Sequence, residues 1–108
     1  MLERDFQASL VRKIKAMLPG CIVSKNDCGQ KQGIPDLLIL YNKKWAALEC
    51  KRKKPTKSDF RANQEYYIDL LNKMSFCRVI YPENEKEVLD DLQQALRPRR
   101  TTRVSGGK

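Results

Sequence analysis

The stretch from Gly33 to Lys51 constrains this chain more than any other part of it. Leu37, Leu38, Ile39 and Leu40 run without a polar break into Tyr41. A continuous apolar run of this length reads as a strand covered on both faces. Pro35 stands at its entry, where a residue need not donate to the ladder. A second strand runs from Trp45 to Lys51 and is apolar until its end. There Glu49 and Lys51 fall two positions apart, so both point to one face. Only the short polar connection at Asn42, Lys43 and Lys44 separates the strands, which therefore pair as a hairpin.

The length of that connection decides what faces what. A two-residue loop at Asn42-Lys43 pairs Tyr41 with Lys44 and sets Asp36 directly opposite Glu49. Side chains directly opposite share a face, with Cβ atoms roughly 5 Å apart, and like charges there destabilise a sheet. A bound divalent cation removes that penalty, since hard cations take carboxylate oxygens. Lys51 adds a charge of the opposite sign beside the pair. A three-residue loop shifts the register by one and sends Asp36 to the other face. The acid pair therefore requires the first register, or a bulge that restores it.

Pro35-Asp36 on one strand and Glu49-Cys50-Lys51 on the next resemble the signature of the PD-(D/E)xK nuclease superfamily. The longer context is Gly33-Ile34-Pro35-Asp36-Leu37-Leu38, a Trp-led strand into Glu49-Cys50-Lys51, a helix carrying Gln64, and Glu3 on a first helix. Together these are similar to the virus-type replication-repair nuclease (VRR-Nuc) family, in its short stand-alone, phage-type form. The resemblance covers about residues 3 to 81. The competing reading is an edge hairpin whose charges are simply solvated.

The resemblance implies a restriction-endonuclease-like core and metal-dependent hydrolysis of DNA phosphodiesters. Asp36, Glu49 and the main-chain carbonyl of Cys50 would hold Mg²⁺ or Mn²⁺. Lys51 would orient the attacking water or neutralise the transition state. Gln64 would lie close to Lys51, and Glu3 would take a metal-linked or water-linked role, in addition to complementing the dipole of its helix. The same resemblance implies 5′-phosphate products and a second metal site. It also favours a homodimer acting on branched DNA such as a four-way Holliday junction, a preference that two-fold symmetry makes natural.

The totals agree with a nucleic-acid partner. The 108 residues allow one domain, and 22 Lys and Arg against 13 Asp and Glu give a net charge of +9. Such an excess favours a polyanion. Histidine is absent, which excludes Ser-His-Asp and Cys-His catalysis and His-ligated metal sites. Cys21, Cys28, Cys50 and Cys77 form no Cys-x-x-Cys pair, so reduced thiols fit better than zinc or disulfides. With no membrane-length apolar run and no signal-peptide pattern at Met1 to Asp5, a soluble, cytoplasmic protein is expected.

The remaining elements follow from periodicity. Leu2, Phe6, Leu10, Ile14 and Met17 or Leu18 mark a helix over 3–18, stopped by Pro19-Gly20. Cys21 to Asn26 reads as a strand anchored by Ile22 and Val23. The loop from Asp27 to Gly33 carries Lys31, suited to a phosphate backbone. Arg52, Lys53, Lys54 and Lys57 form a basic exit from the second hairpin strand, again a candidate phosphate contact. A helix over 59–74 has Thr56 or Ser58 as its cap and Phe60, Gln64, Tyr67, Ile68 and Leu71 as its inner stripe. Phe76 to Tyr81 is a strand, and Glu85 to Leu96 a helix with Val88, Leu89, Leu92 and Leu96 inward. Its acids, Glu85, Glu87, Asp90 and Asp91, form one acidic patch.

The expected fold is thus α/β, a mixed central sheet flanked by helices in the order α-β-β-β-α-β-α. One domain spans residues 1–96, and 97–108 is a basic, disordered tail in which Arg97, Arg99 and Arg100 are candidate DNA contacts. Two other functions fit the same residues: a sequence-specific or homing endonuclease on the same core, and a non-catalytic DNA-binding module.

Overall fold

Phe6, Leu10 and Ile14 form the buried stripe of α1 (Glu3–Met17), and buried Leu18 follows at its end. Gly20 then turns the chain with φ +89°, a conformation that suits glycine. The computed structural model describes residues 2–26, 34–60 and 63–97. Within them lie strands β1 (Ile22–Lys25), β2 (Leu37–Tyr41), β3 (Lys44–Cys50) and β4 (Phe76–Ile80), and helices α2 (Gln64–Met74) and α3 (Glu85–Leu96). The fold is α/β, with helices flanking one mixed sheet of order β1-β2-β3-β4. β1, β2 and β3 pair antiparallel, and β4 joins β3 in parallel. A parallel pair needs a crossover, and α2 lies within it.

The hairpin takes the two-residue loop. Tyr41 pairs with Lys44, Ile39 with Ala46 and Leu37 with Leu48. Asn42 and Lys43 both have positive φ, 55° and 64°, the left-handed pair that matches strand twist in a tight hairpin.

Alternation along the strands separates two faces. Leu37, Ile39, Ala46, Leu48, Cys50 and Ile80 join the α1 stripe and Val88, Leu92 and Leu96 of α3 in one apolar core. A Lys13–Glu85 ion pair ties α1 to α3 at the surface. On the opposite face α2 packs chiefly against β4.

In its elements and their burial the structure differs from the sequence reading at several of the described residues. The helix expected from residue 59 starts at Gln64, because Asn63 is left-handed (φ 72°) and Lys57–Asp59 is a separate 3₁₀ turn. A second 3₁₀ turn, Pro82–Asn84, precedes α3, so the element order gains two short turns. Ile22 and Leu40, expected to be covered, are 61% and 39% exposed. They pair across β1 and β2, away from the β4 side that α2 covers. Leu2 is exposed because it is the extended residue before α1, outside the helical periodicity.

Cys21, Cys50 and Cys77 are free thiols. Burial pushes the Cys77 thiol up to about 12 and Cys50 further still, which keeps both unreactive. No helix among the described residues is long and apolar enough to cross a membrane. Cys28, Lys31, Arg99 and Arg100 lie outside the described residues, as does the expected tail beyond Arg97.

Candidate active site

At the open end of the hairpin the strands carry their charged residues. The β2–β3 register, continued by one position, sets Asp36 opposite Glu49. The backbone of Asp36 still belongs to the sheet, for its carbonyl accepts the Asn26 amide at 2.8 Å. The Asn26 side chain secures the turn into β2 by donating to the Pro35 carbonyl at 2.8 Å. The Asp36 carboxylate reaches across, and Oδ2 accepts the Cys50 amide at 2.9 Å.

Glu49 is 2% exposed, and it and Gln64 are the two buried polar side chains among the described residues. Gln64 Nε2 donates to Glu49 Oε2 at 2.9 Å. Lys51 Nζ lies 3.4 Å from the same oxygen. Glu49 Oε1 is buried and has no hydrogen-bond partner among the described residues. Burial raises the Glu49 carboxyl to about 7, and the Asp36 and Glu3 charges add to the rise against the opposing effect of Lys51. Near neutral pH this carboxyl is therefore poised between its two protonation states, and an added positive charge would ionise it.

Lys51 is held from a second side. Nζ donates to the main-chain carbonyl of Asp59 at 2.9 Å and lies 5.2 Å from the centre of the Phe60 ring. The Asp59 carboxylate turns back onto Thr56, whose amide donates to Oδ2 at 2.8 Å and whose hydroxyl lies 3.2 Å away. The Thr56 amide holds the Asp59 carboxyl below its usual range.

A cleft of about 220 Å³ opens here, lined by Glu3, Lys51, Arg52, Lys53, Pro55 and Asp59. Glu3 reaches it from the first turn of α1, which faces the same end of the sheet. Lys54 and Lys57 are exposed on the neighbouring loop without lining the cleft. Arg97, expected in the tail, instead donates from its guanidinium to the Met17 carbonyl at 3.1 Å. That is the opposite end of α1 from Glu3, about 20 Å away at 1.5 Å per residue.

The structure thus brings Asp36, Glu49, Lys51 and Gln64 together, with Glu3, Arg52 and Lys53 around the cleft. Gln64, expected at Lys51, bonds to the Glu49 oxygen that Lys51 also approaches. The sequence reading missed Asn26, Asp59 and Phe60. The Thr56-x-x-Asp59 spacing, a capping pattern, was the available signal for the turn. Among the described residues no three His, Cys, Asp or Glu side chains cluster as a metal group. The ligand set expected from the sequence needs two carboxylates and a main-chain carbonyl. No family model matches the chain, and no curated protein or solved structure matches it significantly.

Proposed function

We propose that this protein is a divalent-cation-dependent DNA endonuclease with a restriction-endonuclease-like core. What supports the reading most is the state of Glu49. It is a buried carboxylate beside Asp36, with one oxygen unpartnered among the described residues and its pKa raised to about 7. Leaving such a group in a fold is costly unless something satisfies it. A hard cation held by Asp36, Glu49 and the Cys50 carbonyl fits that oxygen and relieves the repulsion. Mg²⁺ or Mn²⁺ bound there would polarise a phosphoryl oxygen and favour attack by water.

The residues of the chain supply the rest. Lys51 holds the attacking water or offsets charge developing on the phosphorus oxygens. Gln64 holds Glu49 Oε2, which leaves the buried Oε1 for the cation. Arg52 and Lys53 draw a phosphate backbone into the cleft, with Lys31, Arg99 and Arg100 as further sequence-level candidates. A single acid pair beside Lys51 among the described residues gives one candidate site per chain, which favours a homodimer whose two sites suit the paired nicks of a four-way junction.

The test is nicking of supercoiled plasmid with Mg²⁺, Mn²⁺ or EDTA, followed by duplex, flap, splayed-arm and four-way-junction DNA of equal length. Cation-dependent nicking and preference for branched substrates are expected. Binding without nicking under any cation would leave a DNA-binding module. Nicking at equal rates on all substrates would leave a general or sequence-specific endonuclease. Light scattering of the free protein reads the dimer.

A further inference from the structure

The ammonium of Lys51 lies between two competing acceptors. Glu49 Oε2 is the nearest opposite charge, at 3.4 Å, and the Asp59 carbonyl is the closer contact, at 2.9 Å. If the ammonium collapsed onto Glu49 it would leave the cleft and neutralise a carboxylate needed there. The Asp59 carbonyl opposes that collapse, and the Phe60 ring covers the ammonium at 5.2 Å from its centre. Cations favour such ring faces. An ammonium has three N–H donors, and among the described residues these two oxygens are its partners. A donor remains for a phosphate oxygen or water, and the Lys51 side chain is 16% exposed towards it.

The acceptor sits on a turn closed by its own side chains. Thr56 donates to Asp59 Oδ2 from its amide, at 2.8 Å, and from its hydroxyl, at 3.2 Å. The Asp59 amide returns to the Thr56 carbonyl at 3.0 Å, and the Phe60 amide to Lys57 at 3.3 Å. The Asp59 carboxylate therefore serves the turn, and its main chain serves Lys51.

We propose that the Thr56–Phe60 turn positions Lys51, with Asp59 as the positioning residue that keeps the ammonium presented to the cleft and off Glu49. This rests on the nuclease reading for its consequence in catalysis, but the clamp itself is measurable without cleavage. A long, flexible lysine stem gains most from such fixing.

Two measurements test it. The first is ¹³Cε relaxation of Lys51 in the resting protein. Its order parameter should fall in Asp59→Ala and return in Asp59→Asn, whose amide oxygen still accepts from Thr56. An unchanged order parameter in Asp59→Ala overturns the clamp, whether or not the protein cuts DNA. The second is single-turnover cleavage. Asp59→Ala should lower kcat roughly 10- to 100-fold, the scale of a small misplacement of a reacting group. KM for DNA and the cation concentration for half-maximal rate should stay unchanged, and Asp59→Asn should recover most of the rate. In a Lys51→Ala background Asp59→Ala should cost nothing further. A wild-type kcat in Asp59→Ala, or a loss that simply adds to that of Lys51→Ala, overturns the role. Should the wild type nick no DNA, the nuclease reading fails, and the relaxation measurement still decides the clamp.

Discussion

The two sides of β3 hold the molecule together in different ways. On one, Ala46, Leu48 and Cys50 pack with α1 and α3 into an apolar layer. Each of those side chains contributes by leaving water, roughly 25 cal/mol per Å² of apolar surface. On the other, Ala47, Glu49 and Lys51 face the side where Gln64 of α2 meets the Glu49 carboxylate. There the desolvation of Glu49 opposes folding and is only partly offset by two partners on one oxygen. A single strand thus alternates, residue by residue, between groups that stabilise and groups that are held at a cost. The contrast predicts that damage to one side is read as stability and damage to the other as chemistry.

The largest effect should come from the acids. Asp36→Asn and Glu49→Gln should each lower cation-dependent nicking by about 10³-fold, the upper range for losing one preorganised electrostatic group. DNA binding, measured by gel shift, should persist or tighten, because each change removes negative charge facing phosphate. Full activity in either folded variant would break the comparison on its chemical side.

Next is Leu48→Ala, one position away on the apolar side. It should cost about 2–5 kcal/mol in urea unfolding, the transfer and cavity cost of such a truncation. Activity per folded molecule should change little. A loss below ~1 kcal/mol would mean that the apolar layer does not carry the stability assigned to it.

The smallest effect is on pH dependence. The Glu49 carboxyl is raised in the folded state from 4.5 to about 7. Between those values the folded state keeps a proton that the unfolded state has lost. Stability contributed by this group is therefore complete below about pH 4.5, declines as pH rises through about 7, and is level above that. The decline is on the order of 3 kcal/mol. Glu49→Gln should melt close to wild type at pH 5 and on the order of 10 °C higher at pH 8. Adding Mg²⁺ at pH 8 should raise the wild-type melting temperature and leave that of Glu49→Gln nearly unchanged. Parallel melting curves at both pH values would remove the claim that Glu49 is a strained ionisable group.

Much of this arrangement is legible in residue order. The stripes Phe6-Leu10-Ile14 and Val88-Leu92-Leu96 declare their helices, and a two-residue hairpin tip fixes which face Asp36 takes. What stayed hidden did so for physical reasons. The hold on Lys51 comes from a backbone carbonyl, which every residue type carries and no sequence pattern marks. The Phe60-Gln64-Tyr67 spacing continues through Asn63, although that residue breaks the helix by turning left-handed. The apolar run at Leu37 to Leu40 announces a preference for burial, yet α2 has 11 residues and packs towards β4, leaving Leu40 outside its cover. Arg97 reads as part of a basic tail until its contact with Met17 is seen.

The Asn42–Lys43 tip also bears on the order in which the molecule assembles. It joins partners that are neighbours along the chain, and isolated hairpins close in about 1–10 μs. β3 and β4 meet only after the chain has been carried through α2, a longer loop to close and a slower kind of contact. Asp36 and Glu49 therefore come together while water still screens them, and they lose that water only when α2 arrives. On this order Ile39→Val should give a φ-value near 1 and Ile80→Val one near 0, and the reverse pattern would mean that the sheet nucleates from its parallel pair. Unfolding runs the same course backwards, so release of α2 rehydrates the acids before the hairpin is lost, and the acid-bearing end of the sheet is the first part of the protein to relax and the last to be sealed.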